Sequence, residues 1–185
     1  MSRKVPAGNT PMLETERLVL RTLSSDEADS LHRISNEPNV RLYLWDNEQI
    51  AEATINDFIA RSDCMFSEEE IGMFGVRMRG REDLLGFCGF VRLEGMEEPE
   101  LWYELTHKAW GRGLATEAVW ACVRYAFEEV GMERVIACVD APNAASLRVM
   151  EKLGMKYLGS INARAPEVPY FALYREDFFA AMAKG

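Results

Sequence analysis

Two short segments of this chain carry residues whose types and spacing suit chemistry. The first runs from Glu104, Leu105 and Thr106 into Gly111-Arg112-Gly113 and on to Leu114-Ala115-Thr116-Glu117. An aromatic-aliphatic stretch enters a turn with two glycines, and a helical pattern begins at once. The first turn of a helix has backbone N–H groups without partners, and its dipole favours negative charge there. Gly111 and Gly113 let the main chain approach an anion without a Cβ in the way, and Arg112 adds a cation. The chemistry this suits is the holding of a phosphate. Glu104, in the strand just before the turn, is a candidate general base that could act through a water. Glu100 shares its face by the two-residue repeat and is the reserve candidate. A solvated strand carboxylate is the plain alternative for both.

The second segment is 140–155, Asp140-Ala141-Pro142-Asn143 followed by Ser146, Arg148, Lys152, Leu153 and Gly154. Its plainest meaning is a helix with Asn143 as N-cap and Gly154 as C-cap. A side-chain amide at a helix start can also face a ligand, so the two roles are compatible. Three phosphate sites can be built on a strand, a glycine turn and a helix. A dinucleotide fingerprint needs a third glycine where Thr116 stands, and no GxxxxGK[ST] run exists for a P-loop. The third is the pyrophosphate loop of coenzyme A acetyltransferases.

The elements that must position these residues follow from the hydropathy pattern. A first strand is predicted over 16–21, and Ser24 with Asp26 opens a helix through Leu31 and Ile34 that ends before Pro38. A second helix is predicted from Asn47 to about Ser62. Strands over 71–78 and 84–93 form an antiparallel hairpin through Gly80, and 100–106 is a further strand. A helix over 114–130 stops at Gly131, 134–139 is a buried strand, 143–153 is a helix, and 155–158 and 170–174 are the last strands. The order β-α-α-β-β-β-α-β-α-β-β predicts an α/β fold, a mixed sheet with helices on both faces. Residues 1–12 read as a mobile lead-in and 13–185 as a single domain.

Composition bounds the function. A chain of 185 residues is one domain's worth, and 48% hydrophobic with 28% charged residues is ordinary for a globular protein. No apolar run is long enough for a membrane span, and the basic start lacks the apolar stretch of a secretory signal, so a cytoplasmic protein is expected. A net charge of −9 argues against nucleic acid and anionic membrane as partners and suits a cationic substrate such as an amine. Cys64, Cys88, Cys122 and Cys138 form no CxxC pair, each has apolar neighbours, and they read as buried reduced thiols. With only two histidines, no metal site is expected. His107 reads as a surface loop residue.

The two segments resemble the GNAT superfamily of acetyltransferases, and within it the subgroup of ribosomal-protein N-terminal (Rim-type) acetyltransferases. Trp110-Gly111-Arg112-Gly113-Leu114-Ala115-Thr116-Glu117-Ala118 is similar to that subgroup's W-G-x-G-x-A-T-E-A. Asn143, Ser146, Arg148, Lys152, Leu153 and Gly154 match its N-x-x-S-x-R-x-x-x-K-L-G, and 14–21 looks like its first strand. The resemblance implies a mostly antiparallel, twisted sheet of about 6–7 strands. It implies acetyl-CoA as cosubstrate, with backbone amides of Gly111, Arg112, Gly113, Leu114, Ala115 and Thr116 on the pyrophosphate. Leu105 and Thr106 would pair with the pantetheine arm, and Asn143 would hold it from the other side. Glu104 becomes the base and Ser146, a poor acid, a hydrogen-bond or proton donor to the leaving sulfur. Many superfamily members place a tyrosine later in this helix, where this chain has none. Residues 43–47, with Trp45, are expected to line the acceptor pocket. The function implied is N-acetylation of a primary amine, a protein N-terminus or a small molecule, by a monomer or homodimer. A non-catalytic CoA-binding regulatory module is the alternative, and a plain interaction domain the third reading.

Overall fold

The structure is a computed structural model describing residues 11–160 and 168–183. The expected lead-in lies largely outside these residues. Its end does not: Met12 belongs to a strand. Where one opening strand was expected there are two, β1 (Met12–Glu14) and β2 (Leu18–Thr22), folded on each other through the turn at Thr15, Glu16 and Arg17. Leu18 and Leu20 point into the core, and their alternation fixes which face β2 buries.

Ser24 opens a capping box with Glu27, and a short turn leads into α1 (Ala28–Ser35). Pro38 does end α1, but it also starts an unexpected helix, α2 (Pro38–Leu44). Proline tolerates the first helical position because that N–H needs no partner, and Glu37 before it is extended as a pre-proline residue prefers. The next helix, α3 (Glu52–Glu69), starts and ends later than the pattern suggested. Its buried positions Ile55, Ile59, Ser62 and Met65 follow the helical repeat. Cys64 falls off that stripe and is exposed, and Cys138 is only partly covered; Cys88 and Cys122 are the two buried thiols. Apolar sequence neighbours thus misled for Cys64, because burial follows the face of the helix.

The sheet continues with β3 (Met73–Met78), β4 (Gly86–Val91) and β5 (Glu100–Leu105). After β5 come α4 (Leu114–Tyr125), β6 (Arg134–Cys138), α5 (Ala144–Leu153), β7 (Lys156–Ser160) and β8 (Pro169–Tyr174). A closing helix that the sequence pattern did not reveal, α6 (Arg175–Met182), buries Phe178 against Trp120 and Phe127. The order across the sheet is β1-β2-β3-β4-β5-β6-β8-β7, eight strands rather than six or seven, because β1 adds to the strand expected over 16–21, which is β2.

Every neighbouring pair is antiparallel except β5 and β6, which are parallel and joined through α4. Their register holds only at Glu100 opposite Ile136, so beyond that point the two strands part. The sheet has two apolar sides. Leu101, Tyr103 and Leu105 pack with Leu114, Ala118, Leu147 and Met150 from α4 and α5. Trp102 packs on the other side with Leu31, Ile55, Ile59, Leu44 and Trp45 from α1, α2, α3 and the loop after α2. The helices on both faces therefore converge on β5, the strand whose far end is unpaired by β6.

Candidate active site

The glycine turn is built as the sequence suggested. Gly111 and Gly113 have φ of 72° and 74°, the left-handed region that side-chain-bearing residues adopt only with strain. Gly113 is the N-cap of α4 and supplies no side-chain cap. The amides of Leu114, Ala115 and Thr116 therefore have no partner within the helix. A Cβ built at Gly111 would meet nothing within 4 Å, and at Gly113 only the Arg17 guanidinium, so the surface over the turn is open. Arg17 braces this turn from the β1–β2 side: its Nη1 donates to the Arg112 carbonyl at 2.9 Å and its Nε to Glu117 at 2.6 Å. The Arg112 side chain is itself exposed.

Leu105 and Thr106 divide their roles. The Thr106 N–H donates to the Leu85 carbonyl at 2.7 Å, its hydroxyl to Glu37 at 2.6 Å, and its carbonyl accepts from Ala109. Its main-chain groups are thus taken within the protein. By the alternation of an antiparallel ladder, the even positions of β5 bond to β4, and Leu101, Tyr103 and Leu105 turn their backbone groups toward the gap before β6. The Leu105 N–H faces that gap, while its carbonyl accepts from the Trp110 indole at 2.7 Å. Asn143 caps α5, its Oδ1 accepting from the Ser146 N–H at 3.1 Å, which leaves its NH₂ as a donor. His107 is exposed, with its N–H on Glu37.

The two glutamates of β5 are both buried, at 4% exposure each, and do different things. Glu100 stands where β5 and β6 meet and accepts from the Cys138 N–H and the Trp102 indole, both at 3.1 Å. It ties the two strands together. Glu104 is four residues further, about 13 Å along the strand, at the parted end. It accepts from the Ser35 hydroxyl of α1 and from the Trp45 indole at 2.8 Å. Burial pushes its pKa up to about 7; the Ser35 and Trp45 bonds oppose that rise, and the nearby Glu37 carboxylate adds to it. A carboxyl that exchanges its proton near neutrality is what a general base requires.

Tyr103 reads from the sequence only as core and cleft lining, and its place beside Ser146 was missed. It alternates with Glu104 and points to the other face, where its hydroxyl is enclosed beside Ser146 without a well-formed hydrogen bond. Burial raises its pKa, so the phenol keeps its proton. It stands in a motif segment and could have been read from the strand period. Ser35 and Glu37 carried no comparable signal. Trp45 meets Trp102 and Phe58 edge-on, at ring separations of 6.2 and 6.0 Å, and the loop after it holds Asp46 and Asn47 at positive φ. Tyr43 reaches across to within 3.5 Å of the Pro142 carbonyl, so 43–47 and 140–142 approach each other over the gap.

A parted pair of parallel strands, a turn of open amides on one face and a proton-exchanging carboxylate on the other are the arrangement of an acyltransferase. Residues 17–156 match the family described as Acetyltransferase (GNAT) domain. The chain is 30% identical over 151 residues to the uncharacterized N-acetyltransferase YoaA of Bacillus subtilis (strain 168), covering 80% of this chain and 85% of that protein. Among solved structures, an acetyltransferase from Agrobacterium tumefaciens superposes with a TM-score of 0.80 at 21% identity, over 94% of this chain and 99% of that one. A RimL ribosomal L7/L12 alpha-N-protein acetyltransferase in complex with coenzyme A superposes with a TM-score of 0.74 at 14% identity, over 90% and 99%. These structural likenesses concern the fold. The chain belongs to the GNAT family and is an acetyltransferase. Among the described residues no helix is long and apolar enough to cross a membrane, and no cluster of three metal-ligating side chains occurs.

Proposed function

We propose that this enzyme transfers the acetyl group of acetyl-CoA to a primary amine by direct attack in a ternary complex. The observation that carries the reading is Glu104: a buried carboxyl with a pKa near 7, hydrogen-bonded in place, at the open end of the strand beside the glycine turn. The chain's residues fit acetyl-CoA through the unpartnered amides of 114–116 for the pyrophosphate and the Leu105 N–H and Asn143 NH₂ for the pantetheine arm. Acetyl-CoA supplies an acetyl thioester whose carbonyl carbon is open to a nucleophile.

Glu104 takes the proton that the ammonium must lose before its lone pair can form the new C–N bond. An α-amine, with a pKa of about 7.7–8.0, needs less of this help than an alkyl amine near 10.4. As the C–S bond breaks, Ser146 donates a hydrogen bond or its proton to the sulfur. The Tyr103 hydroxyl, held protonated beside it, backs up that weak acid. Trp45 and Trp102 wall the acceptor side and limit water around Glu104. The acceptor is a protein N-terminal α-amine or a small amine. On this reading the enzyme works in the cytoplasm as a monomer or homodimer, with neither nucleic acid nor membrane as partner.

The test is calorimetric titration with acetyl-CoA, with NAD as control, followed by an amine screen that reads released thiol. Micromolar binding and amine-dependent thiol release support the reading. A folded protein that ignores acetyl-CoA would refute it.

A further inference from the structure

The sequence offers Arg112 as the cation of the glycine turn, but folding brings a second one to it. Arg17 stands in the turn between β1 and β2, 95 residues before Arg112, and its guanidinium spans the start of α4. Nη1 donates to the Arg112 carbonyl at 2.9 Å. Nε and Nη2 hold Glu117 Oε2 at 2.6 and 2.5 Å. The other Glu117 oxygen accepts from the Arg17 N–H at 2.9 Å and the Thr15 hydroxyl at 2.5 Å. Between these two anchors, a Cβ on Gly113 would stand 3.6 Å from Nη2. The Arg112 side chain is exposed and has no hydrogen bond or ion pair among the described residues.

Each anchor bears on an anion at the turn. The peptide joining Arg112 to Gly113 is planar and trans, so its C=O and N–H point in opposite directions. With the carbonyl held on Arg17, the Gly113 N–H is turned away from Arg17, and it has no hydrogen bond among the described residues. It joins the amides of Leu114, Ala115 and Thr116 as a donor without a partner. Were the peptide turned over, a carbonyl oxygen would stand in its place and repel a phosphate. The second anchor concerns charge. Glu117 lies in the first turn of α4, where a carboxylate competes with any incoming anion for the positive end of the helix. Burial pushes its pKa up, but the bonds from Thr15 and Arg17 outweigh that and hold it below the usual value, so Glu117 stays ionised. Arg17 supplies the positive charge that cancels it.

We propose that Arg17 is a positioning residue for the pyrophosphate of acetyl-CoA: it leaves the Gly113 N–H free for the phosphate and cancels the Glu117 charge beside it. This rests on the acetyl-transfer reading and adds to it the residue that makes the turn able to hold a phosphate. Arg17 acts through Gly113 and Glu117. The fork of a guanidinium serves a carbonyl and a carboxylate at once, which the single ammonium of a lysine does less well.

The test titrates acetyl-CoA calorimetrically into the unaltered enzyme, Arg17→Gln, Arg17→Lys and the double variant Arg17→Gln with Glu117→Gln. S-acetylpantetheine, which has the arm and the thioester but no pyrophosphate, is titrated at millimolar concentration by NMR. Arg17→Gln should weaken acetyl-CoA about tenfold and S-acetylpantetheine less than about twofold, with Arg17→Lys between parent and Arg17→Gln for acetyl-CoA. Adding Glu117→Gln to Arg17→Gln should recover about threefold or more of the lost affinity, because the uncancelled charge is gone. A brace with a purely structural role would show no such recovery, since the double variant lacks both of its sides. In the unaltered enzyme the Gly113 amide resonance should move with acetyl-CoA and stay in place with S-acetylpantetheine, a reading that holds even if a variant folds poorly. Parental affinity in Arg17→Gln, an equal loss for both ligands, no recovery from Glu117→Gln, or a Gly113 resonance that ignores acetyl-CoA overturns the Arg17 assignment and leaves the transferase intact. A folded, unaltered protein that binds no acetyl-CoA defeats the proposed reaction and this inference with it.

Discussion

The two faces of β5 offer the proposed reaction different kinds of group. On the α4 and α5 face the working groups are mostly backbone: the amides of 114–116, the Leu105 N–H, and glycines chosen for a positive φ. On the α1 and α2 face they are side chains: Glu104 from the strand, Ser35 from α1, and Trp45 at the end of α2. Backbone recognition is local, so it needs particular residues at particular spacings within one segment. Side-chain recognition on the other face is assembled from pieces up to 69 residues apart, and each piece looks ordinary alone.

Breaking the side-chain face should have the largest effect. Glu104→Gln is expected to lower kcat by about 10²-fold or more with acetyl-CoA affinity kept, as single-turnover and calorimetric measurements would show. The unaltered enzyme should show kcat/KM rising as pH passes upward through about 7, where Glu104 loses its proton, and the variant should lack that limb. Stability runs the opposite way. Because the folded pKa lies above the ordinary 4.5, the folded state keeps a proton that the unfolded chain has released. Between pH 4.5 and 7 this costs stability as pH rises, about 3 kcal/mol in all. Thermal melts at pH 5 and 8 should show a smaller difference for Glu104→Gln than for the parent; an equal difference would mean the carboxyl is not held protonated.

Breaking the backbone face should split the other way. Gly113→Val places a branched residue at φ 74°, a strain of about 1–3 kcal/mol. Acetyl-CoA affinity is expected to fall about tenfold to a hundredfold, while the pH limb set by Glu104 stays where it was. A variant that bound acetyl-CoA as well as the parent would remove the turn from the site.

The smallest effect sharpens the contrast within the side-chain face. The Ser35 hydroxyl donates to Glu104 and holds its pKa below what burial alone would give. Ser35→Ala should therefore move the rising limb of the rate to higher pH, with a loss at pH 7 that shrinks in alkaline buffer. A loss of the same size at every pH would mean that Ser35 matters for packing alone.

Much of this was legible beforehand, and the reason differs by element. The strand, glycine turn and helix from 100 to 118 were readable because a hydrophobic period switches from two to 3.6 at a glycine pair. The division of labour between Glu100 and Glu104 was not, since both share a face of one strand. It is decided by where β6 stops pairing with β5, which is a property of the crossover. Nor was α2 foreseen, because Pro38 serves equally well to stop one helix and to start another. The strand at 12–14 was not foreseen either, because the turn at 15–17 that sets it off from the expected strand has no glycine or proline to mark it.

The sequence by itself determined the family, the sheet-and-helix order around the phosphate turn, and the candidate residues on that turn, because each depends on contacts within a few residues. Only the tertiary structure decided that Glu100 ties β5 to β6 while Glu104 is enclosed by Ser35 and Trp45, and that a tyrosine stands behind Ser146. Those facts depend on burial and on partners brought from distant parts of the chain. A side chain's pKa and its want of a partner are set by the surroundings that folding supplies.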